Sequence, residues 1–373
     1  MRTRKRKALS DSAAATTTNV SEEATAAQKM TPEYSIAKHL LLSKETNGAY
    51  NNVVFSPLCI KLLLSIVIVG CNGPVRDQLL SFLGSESIED LNSVATQLFS
   101  SMLVDGSSSG GPRLSFANGV EVAKEINSWA ERETQGLINN IIDSRSIEMK
   151  NIIMANALYF KGLWEHGESF KETKTVDGEF HLLDGGGSVK VPFMKRNPFL
   201  LRATAIAHQG FKVLTLRYRI AHASRQDDSK KQRYAMHIFL PDEINGLPAL
   251  VEKRLSALEI PRFKLSFMVD ASPVLMDMGL VLPFSKGALT EMVEGSDDAH
   301  VSEIFQKCMI EVNEEGTKAA ETGRMMLHTT AGRGGKKEPP MEFIADHPFL
   351  FMIREQITGT TLFIGQVLNP LHA

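Results

Sequence analysis

Apolar residues in the first part of the chain recur at helical spacing. Tyr34 to Leu42 is predicted as one helix. A strongly apolar helix is predicted from Leu58 to Val69, opened by Ser56-Pro57 and ended by Gly70, because proline is favoured in a first helical turn. A shorter helix is predicted from Val75 to Leu83. The amino-terminal half therefore reads as mainly helical.

Later segments have the shorter period or the continuous apolar runs of strands. Predicted strands are Asn52 to Phe55, Leu114 to Val120, Ile152 to Phe160, Phe180 to Leu183, Val189 to Phe193, Tyr234 to Leu240, Ile310 to Asn313 and much of Phe343 to Val367. Ile152 to Phe160 does not alternate strictly, so we expect it to be buried on both faces. Asp184 to Gly187 is predicted as a hairpin turn. Helices followed by strands favour an α+β fold with antiparallel sheets.

Two segments interrupt this pattern. Ser107 to Gly111 is predicted as a flexible loop, and Val122, Ile126, Trp129 and Leu137 after it fall on one predicted helical face. From Thr317 to Glu342 no apolar pattern persists, and Gly, Lys and Pro accumulate. An exposed loop of about 25 residues inside a compact domain is usually functional or disordered.

Composition excludes several classes of function. The chain has 373 residues, 43% hydrophobic and 23% charged, which is enough to bury a large core. A net charge of −2 provides no field that favours nucleic acid or an anionic membrane, so neither is expected as a partner. The most apolar run, Leu62 to Val69, is too short to cross a bilayer.

The amino terminus, residues 1–29, is predicted as a disordered tail because it has almost no large apolar residues. Its basic run, Arg2 to Lys7, is interpreted either as a nuclear address or as a solvated charged tail. No apolar stretch follows to make a secretory signal. Three cysteines without a CxxC pair, Cys59, Cys71 and Cys308, predict free thiols in a reducing compartment. We therefore expect a cytoplasmic or nuclear location.

No motif of an enzyme is present. The sequence lacks HExxH, GxSxG, a dinucleotide fingerprint and a phosphate-binding loop. Asp297-Asp298-Ala299-His300 is interpreted as a solvated loop, since four adjacent residues rarely converge on one ion. We expect no catalytic residue, no metal site, no cofactor and no enzymatic activity.

Several blocks resemble the serpin family, in its plant (serpin-Z) type. They are FSPLCI at Phe55 to Ile60, NALYFKGLW at Asn156 to Trp164, MHIFLPD at Met236 to Asp242, EVNEEGT at Glu311 to Thr317, FIADHPFLFMI at Phe343 to Ile353 and FIGQVLNP at Phe363 to Pro370. The resemblance implies one serpin domain over residues 30–373. Its fold would have three β-sheets, a helical amino-terminal half and an exposed reactive-centre loop at about residues 316–342. We expect a monomer.

The resemblance implies a serine protease inhibitor that works as a conformational trap. A protease cuts the loop, and the cut loop inserts as a new central strand of the main sheet. Expected partners are serine or papain-like cysteine proteases. The residues that must enter first are the hinge, Gly316, Thr317, Lys318, Ala319, Ala320, Glu321, Thr322 and Gly323.

The hinge departs from the small residues that the family uses. Because inserted side chains alternate between faces, Thr317, Ala319 and Glu321 would point inward. An unpaired buried carboxylate costs several kcal/mol, or it must take up a proton. Gly323 would weaken the new strand further.

The family also closes its main sheet with a group of hydrogen-bonding residues, the shutter, made of two serines, an asparagine and a histidine. The matching positions are Ser56, Cys59, Asn156 and Gln306. Cysteine is a weak hydrogen-bonding substitute for serine, whereas glutamine still donates and accepts. The cysteine is therefore the more damaging change.

The scaffold is shorter than the family's. After Val120 several dozen residues are absent, which in the family supply a helix and the edge strand of the main sheet; a second shortening lies around Leu255 to Glu259. A wrongly assembled gene model would leave the same gap, so both explanations stay open.

The cleaved bond is ambiguous. Counting from Gly316 gives Thr330-Ala331, whereas counting back from His347 gives Gly332-Arg333. We predict a non-inhibitory or weakly inhibitory serpin; the alternative is a functional suicide inhibitor of serine or papain-like cysteine proteases.

Overall fold

The computed structural model describes residues 32–42, 51–101, 105–122, 126–138, 141, 152–165, 170, 172–195, 204–220, 232–252, 263–289, 291, 298–312 and 343–372. Their helices are α1 (Pro32–Leu42), α2 (Pro57–Val69), α3 (Gly73–Leu83), α4 (Ile88–Ser101), α5 (Ile126–Glu133), α6 (Leu247–Glu252) and α7 (Ser272–Asp277). Their strands are β1 (Val53–Phe55), β2 (Arg113–Val122), β3 (Ile152–Lys161), β4 (Val176–His181), β5 (Ser188–Phe193), β6 (Thr204–His208), β7 (Phe211–Arg217), β8 (Tyr234–Pro241), β9 (Phe263–Asp270), β10 (Val301–Val312), β11 (Phe349–Glu355) and β12 (Thr361–Val367).

The strands form three sheets, which confirms the predicted α+β class. The largest has the order β1-β12-β11-β8-β7-β6 and is antiparallel throughout. The second has the order β2-β3-β10-β9, and only its central pair, β3 and β10, is parallel. Strands β4 and β5 form a hairpin around the predicted turn.

Helix α2 lies between the two larger sheets and contacts β12 of one and β3 and β10 of the other. It is apolar around most of its circumference, so it is stable only when buried on all sides. Its start at Pro57 after the N-cap Ser56 and its end before Gly70 match the predicted boundaries closely. The helix fixes the position of Ser56 beneath the four-stranded sheet.

Strand β3 is buried on both faces, as its continuous apolar run predicted. Its inner face, with Leu158 and Phe160, belongs to the core cluster that contains Leu58 and Cys59 of α2. Its outer face packs in a separate cluster with Trp129 and Ala130 of α5. A strand covered by helices on both sides needs apolar residues at successive positions.

Two local predictions are wrong. The helix expected to carry Val122, Ile126, Trp129 and Leu137 spans only Ile126–Glu133. Val122 instead ends β2, opposite Ile152, and Leu137 follows the turn at Gly136, whose φ is +78°. Ser107–Ser109 is a short 3-10 helix rather than a flexible loop, and Asp105 accepts the N–H of Ser107. Strand pairing determined the structure at Val122, and a side-chain cap determined it at Ser107. Neither interaction produces a periodic apolar pattern in the sequence.

Candidate functional site

The four-stranded sheet has one internal parallel boundary, where β3 and β10 lie side by side; we call it the seam. Its register runs from Ile304 beside Met154 to Ile310 beside Phe160. The inward side chains of β10 alternate with outward ones, and Gln306, Cys308, Ile310 and Val312 are all buried. The inner face of the seam meets the amino-terminal end of α2.

Ser56 stands at that end of the helix. Its backbone is extended, with φ −115° and ψ 109°, and its hydroxyl accepts the Cys59 N–H at 3.3 Å. This is an N-cap, which satisfies one of the free N–H groups of a helix start. Ser56 is fully buried, so its own backbone N–H and C=O also need partners within the protein.

Gln306 supplies the partner of the N–H and a second partner of the C=O, which also accepts the Ile60 N–H at 3.3 Å. Its Oε1 accepts the Ser56 backbone N–H at 2.7 Å, and its Nε2 donates to the Ser56 carbonyl oxygen at 3.0 Å. The Nε2 group also lies 3.4 Å from Oδ1 of Asn156, the residue beside Gln306 in the seam register. The side-chain amide therefore pairs with both backbone groups of one residue, Ser56, much as a residue of a neighbouring antiparallel strand would. It ties both seam strands to α2, and we call this arrangement the Gln306 clamp.

Two thiols flank Ser56. Burial raises the pKa of Cys59 to about 12, against the opposing effect of hydrogen bonds with Ser56 and Asn156. Burial also raises the pKa of Cys308, which the neighbouring Cys59 raises further and the Ser56 backbone lowers. Both thiols therefore stay protonated at neutral pH, and neither has the thiolate character of a nucleophile.

The structure brings together all four predicted shutter residues: Ser56, Cys59, Asn156 and Gln306. Sequence reasoning ranked Cys59 as the important departure, but the geometry gives the larger share of hydrogen bonds to Gln306. The role of the group in sheet opening stays a prediction. The hinge residues 316–323 and both candidate cleavage sites, Thr330-Ala331 and Gly332-Arg333, lie outside the described residues.

A second polar contact across the seam was not predicted. Lys161 Nζ lies 3.3 Å from Glu311 Oε1, with 30% and 24% of the two side chains exposed. The sequence carried one weak signal, a lysine directly after the apolar run of β3. Nothing local indicated that a carboxylate 150 residues later would lie beside it.

The described part of the chain contains no group of three or more His, Cys, Asp and Glu side chains arranged to hold a metal ion. Its three cysteines, Cys59, Cys71 and Cys308, are buried and free. Among the described helices, none combines the length and the apolar character needed to span a membrane.

Comparisons with known proteins agree on one family. A family model described as Serpin (serine protease inhibitor) matches residues 107–370. Serpin-ZX of Arabidopsis thaliana is 41% identical over 91% of this chain and 96% of its own length. Serpin-ZXA of Oryza sativa subsp. japonica is 38% identical over 87% of this chain and 92% of its own length.

Solved structures show the same fold. The Arabidopsis serpin AtSerpin1 in its native stressed conformation superposes with a TM-score of 0.76 at 39% identity, covering 92% of this chain and 97% of that one. Uncleaved ovalbumin gives a TM-score of 0.67 at 22% identity, covering 91% and 98%. At that identity the second likeness concerns the fold alone.

Proposed function

The chain belongs to the serpin family, and we propose that it is a non-inhibitory or weakly inhibitory member, whose loop is cut by a protease without trapping it. The family's members are typically serine protease inhibitors, which act by inserting the cut loop into a sheet. The question for this chain is whether its seam accepts the new strand.

The main support for the proposal comes from the inner face of β10. An inserted strand would return antiparallel beside β10 after Val312. If residues 313–316 form the turn, Thr317 pairs with Val312, and the register continues with Ala319 at Ile310 and Glu321 at Cys308. The side chains of Val312, Ile310 and Cys308 are only 2%, 0% and 0% exposed. Opposed residues share a face, so Glu321 would enter the buried side.

The described surroundings at that level carry no charged side chain to pair with a carboxylate. Cys308 lies beside Leu158 of β3 and opposite Phe267 of β9 in the sheet register. Its own thiol and that of Cys59 are weak hydrogen-bond donors at most. A carboxylate placed there would lose its water without gaining a cation, at a cost of several kcal/mol or by taking up a proton.

The sheet adds a second obstacle. Among the described residues β2 is its end strand, and α5 packs on the outer face of β2 and β3. Opening the seam would require β2 and β3 to move together as a two-stranded unit. The contacts that Trp129 makes with the outer face of β3 would have to move with them or break. The shortening expected after Val120 would therefore affect the half of the sheet that has to shift.

Loop cleavage tests the proposal. After limited trypsin digestion we expect a small change in melting temperature and no gel-stable complex with the protease. Insertion of a cut loop as a new strand should raise the melting temperature. Glu321→Ala should therefore raise the melting temperature of the cut protein, because the variant removes the charge that insertion would bury. Lys318→Ala is the matched control, since residue 318 would face outward. A large rise in melting temperature after cleavage, together with a covalent complex in the wild type, would refute the proposal. If Glu321→Ala has no effect, the sheet and not the loop is what prevents insertion.

A functional suicide inhibitor is the second candidate, and the Gln306 clamp favours it. A trap needs an intact closed seam before cleavage, and the three hydrogen bonds of Gln306 supply one. Incubation with a panel of serine and papain-like cysteine proteases, followed by denaturing gels, separates the two functions. A stable complex with any of them favours the inhibitor.

A further inference from the structure

Arginines gather at one end of the six-stranded sheet, where β7 and β11 stop and β8 starts. The strand register sets Arg217 of β7 and Arg354 of β11 on the two sides of Ala235 of β8. Opposed residues share a face of a sheet, so all three side chains belong to one face. Because the middle residue has only a methyl group, no long side chain stands between the two arginines.

A second row lies one step beyond the first. The pairing continues past the strand ends, since the Tyr218 N–H donates to the Tyr234 carbonyl oxygen at 2.9 Å and the Gln356 N–H to that of Arg233 at 2.7 Å. Side chains alternate along a strand, so Arg219 and Arg233 fall on the same face as the first row. Four arginines and no carboxylate occupy the six positions of the two rows, which are Arg217, Ala235, Arg354, Arg219, Arg233 and Gln356.

The larger part of this face is covered by helices. Phe239 of β8 and Leu350 of β11 pack in the core cluster that includes residues of α1 and α6. The arginines lie outside that cluster. Arg233 and Arg354 are exposed, and Arg219 is half-buried. A solute can therefore reach the guanidinium groups at this end of the sheet.

The charge of these arginines is not neutralised locally. Among the described residues, no carboxylate lies within ion-pair distance of Arg219, Arg233 or Arg354. Glu355 belongs to the opposite face, and its oxygens accept three backbone N–H groups instead. Arg219 Nε is buried and has no acceptor among the described residues. A buried donor without a partner is costly, so this nitrogen points to an acceptor that comes from outside.

A neighbouring histidine is affected by the same charge. Burial, together with the charge of Arg354, lowers the pKa of His237 to about 4. His237 is therefore neutral at pH 7, and its Nδ1 lies 2.9 Å from the Thr215 hydroxyl. Arg354 is itself held in place, because its Nε donates to the Gly359 carbonyl oxygen at 2.5 Å. This end of the sheet is thus locally cationic, although the net charge of the chain is −2.

We propose that Arg219, Arg233 and Arg354 bind a compact oligophosphate, such as pyrophosphate or tripolyphosphate, across this end of the six-stranded sheet. A guanidinium group matches two phosphate oxygens with two parallel N–H···O bonds. Adjacent strands lie about 4.8 Å apart, and two residues along a strand span about 6.8 Å. Arginines at that spacing can each take a different phosphate of a linked pair or triplet, which one isolated ion does not offer. The site lies away from the seam and goes beyond the proposed function.

Isothermal titration of the full chain with sodium tripolyphosphate tests the proposal at about 0.15 M ionic strength. The double variant Arg233→Gln, Arg354→Gln should weaken binding about tenfold for each arginine lost. The matched control is Arg4→Gln, Arg6→Gln in the amino-terminal basic run, which changes the net charge equally. It should change the affinity less than about twofold, because charges more than about 8 Å away are screened. Arg354→Lys should give an intermediate loss, since lysine keeps the charge without the fork.

A second measurement uses the wild type and needs no variant to fold. Phenylglyoxal modifies accessible arginines, and peptide mass spectrometry gives the rate at each one. Tripolyphosphate should slow the modification of Arg233 and Arg354 but not that of Arg132, an exposed arginine of α5. Sodium sulfate at the same ionic strength should protect much less. The site is refuted if the wild type does not bind tripolyphosphate, if the two double variants lose the same affinity, or if sulfate protects equally.

Discussion

The two larger sheets of this protein close in different ways. The six-stranded sheet is antiparallel throughout, and successive residues of β11 from Phe349 to Ile353 are buried. The four-stranded sheet has a parallel seam in its middle, where Asn156, Gln306 and the Lys161–Glu311 pair contribute polar side chains. Both sheets have backbone ladders and buried apolar residues, but the parallel boundary of the four-stranded sheet also carries a group of polar side chains that contact one another.

The difference has a physical consequence. Apolar packing at close contact leaves no room for another strand, because a core has few voids larger than a water molecule. Polar contacts can be exchanged for others when a new backbone arrives with its own donors and acceptors. In the proposed function the seam is the place where a new strand would have to enter, and the six-stranded sheet is the frame against which it would move.

The largest expected effect lies in that frame. A Cβ atom at Gly365 of β12 would lie 2.5 Å from the Phe351 ring and 2.5 Å from the Val53 carbonyl oxygen. We expect Gly365→Ala to lower the free energy of unfolding by about 3 kcal/mol, measured by urea denaturation. Gly136→Ala, where φ is +78° and no atom lies near, should cost about 1 kcal/mol. If the two variants lose the same free energy of unfolding, the six-stranded sheet can shift to accommodate a methyl group, contrary to what its packing indicates.

An intermediate effect is expected at the Gln306 clamp. Gln306→Ala leaves the buried N–H of Ser56 without this partner, whereas the Ser56 C=O keeps the Ile60 N–H, and the loss should cost about 2 kcal/mol of unfolding free energy. Cysteine labelling should report the same change as faster modification of Cys308. Ser56→Ala removes only the N-cap side chain and should cost about 1 kcal/mol. If Ser56→Ala is the more damaging change, the clamp is not what holds the seam.

The smallest effect concerns pH and lies at the end of β11. Burial alone would raise the pKa of Glu355, but hydrogen bonds from the N–H groups of Thr358, Arg233 and Ile357 outweigh it, so that its pKa is lower than the ordinary 4.5. A lowered folded pKa contributes stability that is present above the unfolded value and lost as pH falls through the folded one.

Glu355→Gln should therefore cost about 1 kcal/mol at neutral pH, and the difference from the wild type should shrink below about pH 4. Thermal unfolding at pH 7 and pH 3 measures both. Glu179→Gln, on the exposed side of the β4–β5 hairpin, is the control and should change little at either pH. If Glu355→Gln and the wild type differ in stability by the same amount at pH 7 and at pH 3, the assignment of an ionised Glu355 with a lowered pKa is wrong.

Local sequence determined the elements whose signal is short-range. The helical spacing of Tyr34 to Leu42 and Leu58 to Val69 predicted α1 and α2, and the unbroken apolar run from Ile152 predicted a strand covered on both faces. Several blocks of the sequence also resemble serpins closely enough to identify the family and its three-sheet fold. These features are carried by neighbouring residues, so they can be read in order along the chain.

Only the tertiary structure decided how the seam is closed. Gln306 meets Ser56 across 250 positions, and Lys161 meets Glu311 across 150. Val122 became the end of β2 rather than part of a helix because it pairs with Ile152. Each of these outcomes depends on strand register, which sets residues distant in the chain side by side. Periodicity records which face of an element is buried, but it carries no information about which residue lies across from it.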